Sequence, residues 1–368
     1  MHLKIISVVY IFLTMLCLLN LKVSAAEIDY GINELYDAVP EEALEYIEEN
    51  NIGADGTGIA EITLNDVFES IINEISVSLK RPLTMFSSLL AVIILSSVLK
   101  NLVSAKSDSI NQTFSLVCSL TSTVIISTYL SNVLSDINNA ISSASGFSFT
   151  YIPVIAGIIA VGGHTSTAAV YTSVMMIGVQ VLTQITVNVL FPVTSCLIGI
   201  SAAGGLNKDL KIDKLGDGLR KAIIWVLGLI MTIFIGFLTM QSGISASADS
   251  LSLRAARFAV STSVPFVGGA VSDALSTVKT SVELLKSGVG SFGIVIGCCV
   301  LLPVLIDVLC YRFILFVTGI ISDIFDTEDI GRMIRCGENV LSIVISIIVC
   351  FFVFLIVSTA LMLLVCRQ

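Results

Sequence analysis

Between residues 83 and 365 the chain is a succession of apolar runs, each near the ~20 residues that a helix needs to cross a bilayer. They fall at about 83–103, 114–134, 147–163, 168–190, 222–243, 289–317 and 340–365. Phe191–Gly205 (FPVTSCLIGISAAGG) is shorter. It reads either as an eighth crossing or as a re-entrant segment, since non-helical backbone at that depth must be covered by protein. The expected fold class is all-α: a polytopic integral membrane helix bundle of about seven or eight transmembrane helices, some broken by Pro and Gly. Composition agrees, because 55% hydrophobic and 13% charged residues leave too little polar surface for a soluble chain.

Charge is unevenly placed. Fourteen of the 28 acidic residues lie between Glu27 and Glu74, a stretch without Lys or Arg. Nothing here suits nucleic acid, which the acidic segment would repel. The preceding residues, MHLKIISVVYIFLTMLCLLNLKVSAAE, have an early Lys4, an apolar run and small residues at Ser24, Ala25 and Ala26. That layout predicts a signal peptide over 1–26, with an uncleaved anchor as the alternative. The domain plan is then a signal segment 1–26, an acidic non-cytoplasmic segment 27–80 and a multi-pass membrane domain 81–368. Within 27–80, Leu35, Val39, Leu44 and Ile47 suggest an amphipathic helix, NNIGADGTG a flexible break, and Val67, Ile71, Ile75 and Leu79 a second helix at the membrane surface, ended by Lys80-Arg81-Pro82. The basic stretches at 100–113, 206–221 and 318–339 fall on the cytoplasmic side together if 191–205 also crosses.

The stretch VPFVGGAVSDALSTV (Val264–Val278) has the glycines of a phosphate loop but no Lys after them, and its flanks look helical. Val271, Leu275, Val278, Val282 and Leu285 step by four and three, opposite Ser272, Asp273, Ser276, Lys279, Glu283 and Lys286. Residues 249–288 therefore read as helix, Pro-Gly-Gly break and amphipathic helix. Asp249 is placed to cap the helix presenting Arg254 and Arg257, and Asp273 to suit a helix N-terminus.

Polar groups within the spans are few. Gln180, Gln184 and Asn188 form a stripe on one helix face, read as helix–helix contacts or the lining of a wet path. Asp307 lies deep in CCVLLPVLIDVLCYRF, a proton- or ion-coupling candidate by default, with Arg312 five residues on. Gly293-xxx-Gly297 and Gly228–Thr232–Gly236 suggest close helix packing. The scattered cysteines fit small hydrophobes better than disulfides or a metal site, and His164 sits in a turn. No nucleophile–base pair, metal set or cofactor motif is present, so neither an enzyme nor a cofactor is expected.

LRKAIIWVLGLIMTIFIGFLTMQS, running into SADSLSLRAARFAVSTSVPFVGGAVSDALSTV and LLKSGVG, resembles the stage III sporulation protein AE family of endospore-forming bacteria, as does PVIAGIIAVGGHTSTAA (Pro153–Ala169). The resemblance covers roughly 80–366. It implies a multi-pass protein of the mother-cell membrane around the engulfed forespore, part of a multiprotein channel-like apparatus that supports forespore development. Its partners would be other subunits of that complex and membrane lipid, and oligomerisation is compatible with it. The signature positions are Arg254, Ala256, Arg257, Pro265, Gly268, Gly269 and Asp273, as structural or interaction residues. The competing reading is a stand-alone secondary transporter, from Asp307, the amide stripe and the Pro/Gly breaks.

Overall fold

The computed structural model describes residues 31–62, 64–103, 108–204, 212–263 and 268–365. The signal segment therefore lies outside the described residues. Two short helices, α1 (Ile32–Asp37) and α2 (Glu41–Glu49), precede α3 (Leu64–Ser78) and α4 (Lys80–Val103). The body comprises α5 (Asp108–Val161), α6 (Thr165–Ile185), a π-helical turn (Thr186–Leu190), α7 (Phe191–Gly204), α8 (Ile212–Ser263), α9 (Gly268–Ile324) and α10 (Glu328–Val365). No strand occurs among the described residues.

Among the described residues, six helical stretches are long and apolar enough to cross a membrane, where sequence suggested about seven or eight. Runs 114–134 and 147–163 both belong to α5. The polar link between them lacks Pro and has no Gly before Gly146, so nothing stops the helix. Pro153 and Pro303 lie inside α5 and α9 without ending either. The π turn joins α6 to α7, so 191–204 continues the preceding rod instead of re-entering. Lys80-Arg81-Pro82 opens α4 rather than closing α3: Leu79 N donates to Ile75 O and Leu83 N to Leu79 O, each at 3.0 Å. In that first turn proline's missing N–H costs little.

Successive rods run up and down. At one end Lys100 bonds Asp326, Ser115 bonds Asp329, and Gly216 of α8 lies against Asn339 and Cys336 of α10. Helix ends flanking 104–107, 205–211 and 325–327 thus gather at one pole. The acidic segment packs toward the other: Glu42 reaches Ser143, Gly31 abuts Val154, and Gly56 meets Gly288. Asn50–Gly58 is an ordered loop, with Ile52 and Ala54 buried and glycines 56 and 58 at positive φ. At 54, 52 and 57 residues, α5, α8 and α9 are each roughly 80 Å long at 1.5 Å per residue, against a hydrocarbon core of about 30 Å.

The core lies where α5, α9 and α10 meet, around Ile152, Ile155, Phe292, Ile296, Leu341 and Phe354. Between apolar helices in lipid, close fit does the work that water exclusion does elsewhere. Glycines set that fit. A Cβ on Gly293 would lie 2.3 Å from the Tyr151 ring, one on Gly297 3.0 Å from Leu355, and one on Gly178 between Phe234 and Phe354, whose rings stand 4.6 Å apart. Gly293→Val should therefore cost about 1–3 kcal/mol through overpacking. Thermal unfolding in detergent would show it, with Tyr151→Ala in the same chain restoring part of the loss; an unshifted midpoint would contradict the packing. The Gly228–Thr232–Gly236 face behaves differently from expectation. Nothing approaches Gly228 or Gly236 within 4 Å, and Thr232 is exposed with its hydroxyl donating to Gly228 O. Among the described residues it packs on no other helix.

Candidate functional site

Asp307 lies half-buried about two-thirds of the way along α9, within electrostatic reach of Arg81, Asp136 and Glu74. Arg81, in the first turn of α4, donates to the Asp136 carboxylate at 3.1 Å. Tyr311, one turn beyond Asp307, faces Tyr129 with ring centroids 6.3 Å apart. Three long rods and the end of the acidic segment thus converge on one polar cluster. Asp307 is not isolated, as the sequence suggested; Asp136 becomes its neighbour because α5 runs straight through the supposed loop. Arg312 interacts instead with Glu338 of α10. The Asp136 carboxylate is taken up by the Arg81 guanidinium, so the two acids do not form the mutually facing pair that shares a proton. Both Arg81 and Asp136 are well exposed, which limits what their ion pair contributes to stability.

A second polar site lies at the pole holding Lys100 and Asp326. Ser96, Lys100, Ser115, Asp326 and Asp329 line a cavity of ≈ 270 Å³. Nearby, Arg332 pairs with Asp329, and Arg335 with Asp323 at 3.3 Å. Within the lining Lys100 stands against three acids, Asp326, Glu328 and Asp329. Between α6 and α8 runs an apolar groove of ≈ 640 Å³, lined by Ser173, Ile177, Val181, Ile230, Phe234 and Phe237. Among the described residues no group of three His, Cys, Asp or Glu could hold a metal ion.

Asp249 does not cap its own helix, because α8 runs unbroken from Ile212 to Ser263. Its carboxylate accepts from the backbone N–H of Ser166 and Thr167, each at 2.9 Å. These are first-turn amides of α6, whose N-cap residue His164 makes no side-chain cap bond. The turn before it closes with Gly163 at φ 90°, a conformation that suits glycine. A carboxylate at a helix N-terminus also complements the helix dipole. No local motif announces this contact, since partner and cap are 82 and 83 residues apart.

Of the signature positions, Arg254 is exposed near the end of α8. Pro265 lies outside the described residues, as do the side chains of Arg257 and Asp273. α8 runs to Ser263, residues 264–267 lie outside the described residues, and Gly268 and Gly269 open α9, so that the amphipathic stretch is the start of that 57-residue rod. Among the described residues the 249–288 unit comprises the end of α8 and the start of α9, while its expected Pro-Gly-Gly break lies largely outside them. Gln180, Gln184 and Asn188 all lie exposed on the outer face of the α6–π–α7 rod, away from the rest of the bundle. No disulfide joins the described cysteines, and Cys118, Cys310, Cys336 and Cys350 are buried.

Comparison with known proteins matches the sequence to a family model. The family model described as stage III sporulation protein AE matches residues 51–365, starting within the acidic segment. A curated relative, stage III sporulation protein AE of Bacillus subtilis (strain 168), is 28% identical over 175 residues, which cover 48% of this chain and 44% of the relative. The alignment therefore spans less than half of that relative's length. No solved structure matches. With a match across nearly all of the described helices, the chain belongs to the stage III sporulation protein AE family.

Proposed function

We propose that this protein is a non-catalytic, multi-pass subunit of the sporulation membrane complex that connects mother cell and forespore, and that it resides in the mother-cell membrane surrounding the forespore. The observation that carries the reading is the family match over 51–365, on a chain with six candidate spans. Charge supports an orientation: the pole holding Lys100, Lys214, Lys221 and Arg332 faces the mother-cell cytoplasm, and the docked acidic segment faces the space between the membranes. Rods about 80 Å long have length to spare beyond a bilayer, which suits a scaffold that meets partners outside it. The cluster at Asp307 joins α3, α4, α5 and α9 and so has a structural task.

A mild-detergent pull-down from sporulating cells should recover other subunits of that complex, while Asp307→Asn leaves both recovery and spore formation near normal. Migration as a lone species, together with loss of sporulation in Asp307→Asn and solute uptake by purified protein in liposomes, would favour the secondary-transporter reading instead.

A further inference from the structure

Gln180, Gln184 and Asn188 stand on the outer surface of a membrane rod, where amides are out of place. Exposed beside them are Ile177, Val181 and Val189, so their surroundings are those of a lipid-facing surface. One hydrogen bond links them, from Asn188 Nδ2 to Gln184 Oε1, and among the described residues none reaches another helix. The rod Thr165–Ile200 is 36 residues long. A hydrocarbon core takes about 20 residues of helix. Any such window placed within 165–200 contains residues 181–184, so Gln184 lies in hydrocarbon at every depth the rod can adopt. A primary amide there, turned toward acyl chains, keeps donors and an acceptor unsatisfied, at a cost of order kcal/mol per group.

A second observation falls at the same place. The π turn Thr186–Leu190 interrupts α-helical bonding at the lower end of the stripe and has Asn188 at its centre. Such turns are rare and recur at functional positions because they re-aim side chains. Thr186 gives no local reason for it: its buried hydroxyl has no hydrogen-bond partner. The turn leaves both Gln184 and Asn188 exposed on the outside of the rod.

We infer that this face is where a second copy of the chain docks inside the membrane, rod against rod about a two-fold axis along the membrane normal. The chemistry of the stripe selects the occupant. An amide is donor and acceptor at once, so Gln184 can be satisfied by Gln184 of another copy across a two-fold axis. A charged partner would bring its own desolvation cost into hydrocarbon, and an apolar one would leave the amides unmet. The apolar groove between α6 and α8 lies alongside, giving a docked rod an adjoining surface to pack on.

Self-association is a property of this chain alone, so its test does not depend on membership of the larger complex. The full chain is produced by itself in a bacterial membrane, with exposed Cys196 of the same rod changed to Ser. Gln184→Cys is then oxidised, beside Phe313→Cys, whose side chain is 62% exposed on α9, as a comparison. A covalent dimer from Gln184→Cys, and little from Phe313→Cys, is expected. Energy transfer between differently labelled copies should report association weakened by about tenfold when Gln180, Gln184 and Asn188 are all changed to Leu. Leucine suits a lipid-facing surface, so this variant should insert and fold normally. Three results would each overturn the proposal: equal cross-linking from Phe313→Cys, no dimer from a correctly inserted Gln184→Cys, or unchanged energy transfer in the leucine variant. A cross-link in sporulating cells to a different protein, with no dimer, would assign the face to another subunit and overturn it too.

Discussion

Gly288→Ala is expected to lift the Asn50–Gly58 loop off α9 while leaving the rest of the acidic segment in place. A Cβ at Gly288 would stand 1.8 Å from Asp55 O and 2.8 Å from Asp55 C. These are backbone atoms, so no side chain can swing aside. The loop cannot flex locally either. Gly53 N donates to Thr57 O, Gly56 N to Gly53 O, and Thr57 N to Asp55 Oδ1, all near 3.0 Å. Gly56, at φ 85°, presses back with its own Cβ position 2.4 Å from Gly288 Cα. Two effects oppose the clash: alanine is the better helix former by about 1 kcal/mol, and Ile52 and Ala54 lose burial if the loop departs. Relief of the steric overlap wins, because 1.8 Å lies far inside any tolerated contact. Losing those two buried side chains should cost about 2–4 kcal/mol. Amide exchange across 50–58 should then quicken by at least about thirtyfold, with α1 and α2 still protected through Leu35, Ala43 and Ile47. Gly146→Ala, with nothing within 4 Å, is the control that should change little. Unaltered exchange in Gly288→Ala would show that the loop does not rest on α9.

Asp249→Ala should rank with it. The carboxylate is 1% exposed and meets two first-turn amides that have no other acceptor on their own helix. Removal forfeits a cap worth about 1–2 kcal/mol and leaves buried donors unmet at about 1–3 kcal/mol. Against this stands the relief of no longer burying a charge, which charge-assisted bonds to two N–H groups already offset. A net loss of about 2–4 kcal/mol follows. It should appear as a lower unfolding midpoint in detergent and as fraying of Thr165–Ala168. Asp249→Asn, which keeps one carbonyl acceptor, should fall between; a result equal to wild type for both variants would dismiss the cap.

These contacts show where sequence stops informing. Membrane class and helical content follow from the spacing of apolar runs, because a bilayer fixes the length of what crosses it. The family resemblance is read from contiguous stretches such as RAARFAVSTSVPFVGG, and the family model matches residues 51–365. The number of rods was less readable. A polar link such as 135–146 looks like a loop by hydropathy, although it lacks the Pro and early Gly that would break a helix. NNIGADGTG looked flexible from its glycines, yet these let its backbone touch α9. Asp249 and Asp136 were unreadable as well, since their partners lie 82 and 55 residues away and no periodicity links them.

The length of α5, α8 and α9 also carries a mechanical consequence. A rod about 80 Å long that pivots by about 10° at one end carries the other sideways by about 14 Å. The distance exceeds the diameter of a helix. Small changes of tilt at the pole holding Lys100 and Asp326 would thus become large displacements at the opposite pole. In such an arrangement the protein acts as a lever.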